Sequence, residues 1–190
     1  MSRPTLILVT GAPGSGKTTL AHALAREIPC PAICRDEIKA GIVHSDGGRR
    51  PEWGGPVSSK TFETFFAMLE LLLRAGVTVL AEAAFRDGLW ESDIESVRGL
   101  ATVVDIHCVV DPHIARARLE RRAAHPDRTR AAHPDEELLQ ALDSGTMRLE
   151  DFDGIASAFP SLRVDTADGY APDLDDIVEF ATQRRWSAVE

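Results

Sequence analysis

GAPGSGKT, Gly11 to Thr18, matches the pattern G-x-x-x-x-G-K-[ST] without departure. Glycine makes up about 7% of ordinary sequences, so a chance match in a chain of this length is well under about one in a hundred. The pattern has a physical reason. Its glycines (Gly11, Gly14, Gly16) let backbone N–H groups turn inward around phosphate oxygens, and a helix that follows presents its positive end to the same anion. Ala12, Pro13 and Ser15 complete the cradle. Lys17 is expected to reach the β- and γ-phosphates, and the Thr18 hydroxyl to ligate Mg²⁺. Thr19 adds a hydroxyl on the α-phosphate side.

The flanks agree with the motif. TLILVT, Thr5–Thr10, is a short apolar run with β-branched residues, the pattern of a strand buried on both faces. Leu20–Glu27 reads as a helix. Downstream, Ala32–Cys34 is a very short strand and Arg35 to Val43 a helix. His44–Val57, with four glycines and two prolines, reads as a loop. Phe62, Phe65, Phe66, Leu69, Leu72 and Leu73 form an apolar stripe at helical spacing within Ser58–Ala75. Gly76 stops that helix, and VTVLAEAAF resumes as a strand. A helix over Leu89–Leu100, a strand over Thr102–Val110 and a helix from Pro112 to about Ala124 follow. Pro134 starts another helix, Ser161–Val164 is a short strand, and Leu174, Ile177, Val178 and Ala181 mark a last helix. Strands alternating with helices imply an α/β fold, a parallel sheet covered on both faces. Residues 1–190 read as one domain, with a lid segment over about 112–136.

Composition bounds the function. The chain of 190 residues has 44% hydrophobic and 27% charged residues, as soluble globular proteins do. A net charge of −9 argues against a protein whose main task is to hold a nucleic-acid backbone, though a local basic groove stays open. Cys30, Cys34 and Cys108 show no disulfide or CxxC spacing and read as free thiols of a reducing compartment. The apolar start, Leu6–Val9, is too short for a signal peptide, and no run of about 18 apolar residues occurs. The expectation is a soluble, cytoplasmic protein.

A guanine-reading N-K-x-D segment is absent, as is an apolar run ending in Asp-Glu. What remains is small-enzyme phosphoryl transfer, which needs a cradle, an acceptor base, metal support and a cationic cover. Asp36, in ICRDEIKAGI, follows the second strand at the carboxyl edge of the sheet, where such folds place ligands. There it would take a proton from an attacking hydroxyl, or merely cap the helix beside it. Arg35 and Lys39 are candidates for touching the acceptor, while Glu37 reads as a solvated first-turn acid. Glu82 ends the third strand beside the cradle, either supporting the metal or bonding a neighbouring loop. Arg86 and Asp87 lie near the same rim.

RRAAHPDRTRAAHPDE, Arg121–Glu136, is basic within an acidic chain and broken by two prolines. Arg118, Arg121, Arg122 and His125 share one helix face. With Arg128 and Arg130 on the proline-hinged segment, this looks like a lid that closes guanidinium groups over a transferring phosphoryl group and excludes water. The alternative is a solvated basic face, the reading favoured for Arg116 with Glu120. His125 and His133 read as parts of the hinges.

GAPGSGKTT, CRDEIKAGI, VTVLAEAAF and VDPHIARARLERR together resemble the small P-loop kinases that include phage-type polynucleotide kinases, chloramphenicol phosphotransferase-like enzymes and zeta-toxin-like sugar kinases. LRVDTADGYAPDLDDIVEFA is similar to that group's last strand, D-T turn and helix. The resemblance implies a five-stranded parallel sheet in the order 2-3-1-4-5, ATP as donor and Mg²⁺ as cofactor. It also implies a base matching Asp36, lid arginines matching Arg118 and Arg122, and an adenine site bordered by Asp165 and Thr166. Lys39 stands where polynucleotide kinases often have arginine, and Glu82 where many relatives have Asp. The segment 44–57, with Arg49, Arg50 and Trp53, has no clear counterpart there; it would shape the acceptor pocket or form a surface loop. The expected activity is transfer of the γ-phosphate to a hydroxyl of a small molecule. A polynucleotide or nucleoside 5′-hydroxyl kinase, or a nucleotide-dependent switch with slow hydrolysis, are the alternatives.

Overall fold

The structure, a computed structural model, describes residues 3–47, 55–85, 90–124, 135–152 and 159–183. Strand β1 (Thr5–Gly11) leads into helix α1 (Lys17–Glu27), strand β2 (Ala32–Cys34) and helices α2 (Arg35–Ser45) and α3 (Pro56–Arg74). Next come β3 (Val79–Glu82), α4 (Glu91–Arg98), β4 (Thr102–Val109), α5 (Pro112–Ala124) and α6 (Asp135–Asp143). A 3₁₀ turn (Leu149–Phe152), β5 (Ser161–Asp165) and α7 (Leu174–Thr182) complete the order. All strand pairs are parallel, in the order β2-β3-β1-β4-β5. This is the order that the resemblance implied.

Alternation along β1 divides the core. Leu6 and Leu8 face a cluster with Phe65, Phe66, Leu69 and Leu73 of α3 and Ile94 and Val97 of α4. Ile7 and Val9 face the other layer, with Leu20, Ala21 and Leu24 of α1 and Ile177 and Ala181 of α7. A strand buried on both sides has no polar face to spare, which is why β1 reads as a continuous apolar run. The α3 stripe carries the aromatic packing: the Phe62 and Trp90 rings lie 4.5 Å apart, and the Phe85 and Trp90 rings 4.6 Å. Among the described residues, no helix is long and apolar enough to cross a membrane.

Several element ends differ from expectation: β3 covers only Val79–Glu82 of the VTVLAEAAF run, and α4 only Glu91–Arg98 of Leu89–Leu100. Helix α1 begins at Lys17 rather than near Leu20, because left-handed Gly16 (φ 83°) turns the cradle directly into the first helical turn. The backbone N–H of Leu20 donates to the Gly16 carbonyl at 3.1 Å, closing that turn. The loop expected over His44–Val57 is trimmed at both ends. Helix α2 runs on to Ser45, and α3 starts at Pro56, where proline lacks an N–H that the first turn would leave unused anyway. Arg49, Arg50 and Trp53 lie outside the described residues, as do Arg86, Asp87, His125, Arg128, Arg130, His133 and Pro134.

A polar network interrupts the apolar sheet beside the cradle. Asp105 on β4 is 3% exposed; its carboxylate accepts from the Thr10 hydroxyl at 2.8 Å and from the Ser161 hydroxyl at 2.7 Å. Thr10 Oγ1 also lies 2.9 Å from His107 Nδ1. A hydroxyl has one proton, so donating to Asp105 makes Thr10 the acceptor of a proton on Nδ1. Burial pushes the Asp105 carboxyl above its ordinary value of 3.8, while the two hydroxyl bonds and His107 pull it partly back. An acid whose folded pKa is raised binds more protons folded than unfolded, so stability falls as pH rises from about 3.8 through the folded value. Asp105→Asn removes that penalty and keeps an acceptor for Thr10. The variant is expected to unfold at higher temperature than the wild type at neutral pH, with the gap closing as pH falls towards 3.8. Thermal unfolding across that range measures it.

Candidate functional site

The cradle closes where the end of β1, helix α5 and the turn after β5 meet. Gly11 ends β1 at φ 130°, and Gly14 and Gly16 both sit at φ 83°. A Cβ on Gly14 would lie 2.5 Å from the Ala115 carbonyl oxygen, so α5 packs onto bare backbone there. The buried Thr166 hydroxyl, just beyond β5, donates to the Ser15 carbonyl at 2.6 Å. The Arg118 guanidinium on α5 ties the same parts together. It donates to the carbonyls of Thr166 at 2.6 Å, Ala167 at 3.2 Å and Gly14 at 3.3 Å. Asp165 is exposed and accepts from the Ala167 N–H at 2.8 Å, fixing the turn that follows β5.

A cleft of about 240 Å³ opens over this loop, lined by Pro13, Gly14, Gly16, Lys17, Thr18 and Thr19, with Asp36, Glu82, Ala84, Arg118 and Arg122 across from them. Ten of the sequence-derived candidates thus meet in one concavity, while Gly11, Ala12, Ser15, Arg35, Lys39, Asp165 and Thr166 lie outside its lining. A larger cavity, about 520 Å³, lies between α2 and α3 near Ile38 and Ile42, but its charged lining among the described residues is Asp46 and Lys60, with no phosphate cradle beside them. The smaller cleft carries the chemistry.

Its electrostatics follow from burial. The Lys17 ammonium donates to the Ala12 carbonyl at 3.0 Å and lies 4.0 Å from the Glu82 carboxylate. Glu82, 3% exposed, accepts from the Thr18 hydroxyl at 3.2 Å. Burial raises the Glu82 pKa; Lys17 and the Thr18 bond oppose that, and Asp36 adds to it. Parallel pairing puts Glu82 level with Val9 of β1 on one side and Cys34 of β2 on the other. Since Cys34 immediately precedes α2, the same register brings Asp36 to the cleft rim. Asp36 is half-buried and accepts from Arg35 Nη1 at 3.1 Å. The Arg35 Nε is buried without a hydrogen-bond partner among the described residues.

Lys39 is 5% exposed, and burial lowers its pKa against the offsetting charges of Asp36 and Glu137. It does not line the cleft. Arg122 grips Asp135 at the start of α6 in a two-pronged pair, Nε to Oδ2 at 2.6 Å and Nη2 to Oδ1 at 2.5 Å. Burial works against the Arg122 charge, but Asp135, helped by Asp36 and Glu82, raises its pKa. The four basic positions on α5 thus have different surroundings. Arg118 is held by carbonyls and Arg122 by a carboxylate, Arg121 is exposed, and Arg116 pairs with Glu120 and Asp143 on the surface. Glu37, expected to be solvated, accepts or shares a proton with His22 Nε2 at 2.7 Å. The sequence reading did not single out Asp135 or His22. An acid in a first helical turn beyond a basic segment is the signal for the former; the latter has none.

The hard oxygen donors of solvent-facing Thr18 and buried Glu82, 3.2 Å apart next to Lys17, suit a small divalent cation such as Mg²⁺. The cradle itself suits a phosphate group, since Gly11 and Gly14 leave room only for backbone and Gly16 turns left-handed into α1. A family model described as an AAA domain matches residues 6–146, which span the cradle, Asp36, Glu82, Arg118 and Arg122.

The chain belongs to the AAA domain family.

Several solved structures share the fold of this AAA domain. A protein named as a kinase from Chloroflexus aurantiacus superposes with a TM-score of 0.72 at 24% identity, over 100% of both chains. A sugar kinase from Janibacter sp. superposes with a TM-score of 0.64 at 15% identity, over 99% of both chains. The APS kinase of Mycobacterium tuberculosis, in complex with AMPPNP and APS, gives 0.60 at 17% identity over 96% of this chain and 100% of that one. No curated protein matches the chain.

The cradle's tolerance for side chains separates backbone strain from collision. Gly76 has φ 78° with nothing within 4 Å of a built Cβ, whereas Gly14 has φ 83° and meets the Ala115 backbone. Gly76→Ala is expected to lower the unfolding free energy by about 1 kcal/mol, and Gly14→Ala by roughly 2 to 4 kcal/mol, in urea denaturation.

Proposed function

We propose that this AAA domain is an ATP-dependent kinase that transfers the γ-phosphate to a hydroxyl of a small molecule. One observation carries the reading. A glycine cradle with Lys17 and Thr18, and a half-buried carboxylate, Asp36, line the same cleft. A donor phosphate seated on the cradle then has an acceptor base across from it. That the fold is shared with proteins named sugar kinase and APS kinase supports a small acceptor.

Asp36 accepts the proton of the substrate hydroxyl as its oxygen bonds to the γ-phosphorus and the bond from that phosphorus to the β–γ bridging oxygen breaks, releasing ADP. The Arg35 guanidinium, 3.1 Å from the Asp36 carboxylate, holds that carboxylate in place. Lys17 and Arg122 set positive charge around the transferred group, where it is worth most in a water-poor site. Thr18, backed by Glu82, would hold Mg²⁺, which would supply charge neutralisation for the phosphoryl group. Arg118 fixes the cradle against the turn at Thr166 and Ala167, on the side where Thr19 and Asp165 would border the nucleoside. Lys39 and Arg35 lie in the helix under the acceptor, and Arg49 and Trp53 fall on the segment that would wall it. Residues from about 112 to 136 act as the lid, with 1–190 as one domain.

Chain-wide charge separates acceptors. At −9 the protein repels a polyanion, so a metabolite is favoured over an oligonucleotide. An ATP-consumption screen against sugars, polyols, hydroxylated antibiotics and 5′-hydroxyl oligonucleotides identifies the acceptor. With it, Asp36→Asn is expected to lower kcat/KM by about 10² to 10⁴, leaving the nucleotide dissociation constant within about threefold of wild type. Transfer undiminished in Asp36→Asn rejects the base. Consumption by no compound in the screen, with ATP bound, rejects the kinase in favour of a nucleotide-dependent binding protein.

A further inference from the structure

Three side chains that the proposed reaction does not use converge outside the cleft. His22 lies on α1, one turn beyond Thr18; Cys34 ends β2; Glu37 lies in the first turn of α2. Their donor atoms, the imidazole nitrogen, the thiol sulfur and a carboxylate oxygen, all fall within 4.8 Å of one another. His22 Nε2 is 2.7 Å from Glu37 Oε1 and 3.9 Å from Cys34 Sγ.

The geometry decides between two kinds of chemistry. A cysteine nucleophile activated by histidine uses one ring nitrogen for the thiol and the other for the orienting acid. Here a single nitrogen, Nε2, faces both the thiol and the carboxylate, so no relay is formed. Three donors pointing into one space is instead the arrangement of ligands around a cation. We propose that His22, Cys34 and Glu37 form a binding site for a borderline-soft divalent cation, Zn²⁺, with a fourth position open to water.

The donor types support zinc. Thiolate, imidazole and carboxylate are its three protein ligand classes, whereas Mg²⁺ requires a set of oxygens. Zinc bond lengths at tetrahedral angles call for separations of about 3.4 Å between nitrogen and oxygen and about 3.6 Å between sulfur and nitrogen. The pair at 2.7 Å must open slightly and the pair at 3.9 Å close slightly. The Glu37 side chain is 55% exposed and that of His22 41%, so rotation of surface side chains accomplishes this around a fixed, buried Cys34. On binding, the Cys34 thiol releases its proton to solvent, the sulfur–zinc bond forms, and waters leave the hydrated ion. The bound cation joins α1, which carries Lys17 and Thr18, to the helix that carries Asp36. The site is independent of whether the cleft transfers phosphate.

The test uses the reduced full chain without nucleotide, with Co²⁺ as the spectroscopic probe. Co²⁺ is expected to give a thiolate-to-metal charge-transfer band that one equivalent of Zn²⁺ abolishes and a large excess of Mg²⁺ does not. Cys34→Ser removes the band. His22→Ala, a change at a half-exposed position that spares the core, weakens Zn²⁺ by at least about 100-fold in a chelator competition. Should Cys34→Ser fail to fold, Glu37→Gln on the surface provides the second arm and weakens Zn²⁺ by at least about 10-fold. Absence of the charge-transfer band, a band that survives Cys34→Ser, equal Zn²⁺ affinity in His22→Ala, or displacement by Mg²⁺ overturns the site.

Discussion

The cradle leaves no room for a Cβ at Gly11 or Gly14, where β1 turns towards α1. Gly14 lies under the Ala115 carbonyl, and Gly16 turns left-handed directly before Lys17. Because those positions are bare, α5 packs onto the loop, Thr166 reaches the Ser15 carbonyl, and Arg118 spans from Gly14 to the turn after β5. The rest of the site hangs on this closure. Lys17 and Thr18 point where the first helical turn puts them, and Glu82 meets them because β3 pairs with β1 in parallel register. A cradle displaced by one residue would turn Thr18 away from Glu82.

Burial then gives these groups their character. Glu82 is an acid placed where charge is costly, tolerated because Lys17 and Thr18 both favour its ionised form. Arg122 and Lys39 are both basic groups near Asp36, yet burial acts on them with opposite outcomes. A carboxylate grips Arg122 and raises its pKa, whereas Lys39 has only more distant acids, and its pKa falls. An arginine keeps its charge under either condition, and its fork suits the two oxygens of Asp135. The two cations are therefore not interchangeable.

Periodicity and motif made the fold legible. The apolar run of β1, the aromatic stripe of α3 and the glycine pattern each name their own local structure, and parallel order follows from their alternation. The cleft residues that follow strand ends, Asp36 and Glu82, were legible for the same reason: a parallel sheet delivers its carboxyl ends to one edge. Arg118 shows where such reading stops. Spacing put it on a cationic face with Arg121 and Arg122, but its partners are backbone carbonyls of Thr166 and Ala167, 48 and 49 residues away, and carbonyls have no signature in a sequence. Nor does the meeting of His22, Cys34 and Glu37 follow from any ligand spacing, since it depends on how α1 and α2 pack around β2.

The grip of Arg122 on Asp135 has a consequence for the stretch of chain between them. With both ends held together by paired donors and acceptors, the intervening residues span a circuit whose closure is already made. Polymer statistics charge such a circuit only about 0.6 kcal/mol for each doubling in length. The Arg122–Asp135 pair therefore ties the end of α5 to the start of α6 at an entropic cost that depends only weakly on the length of chain joining them.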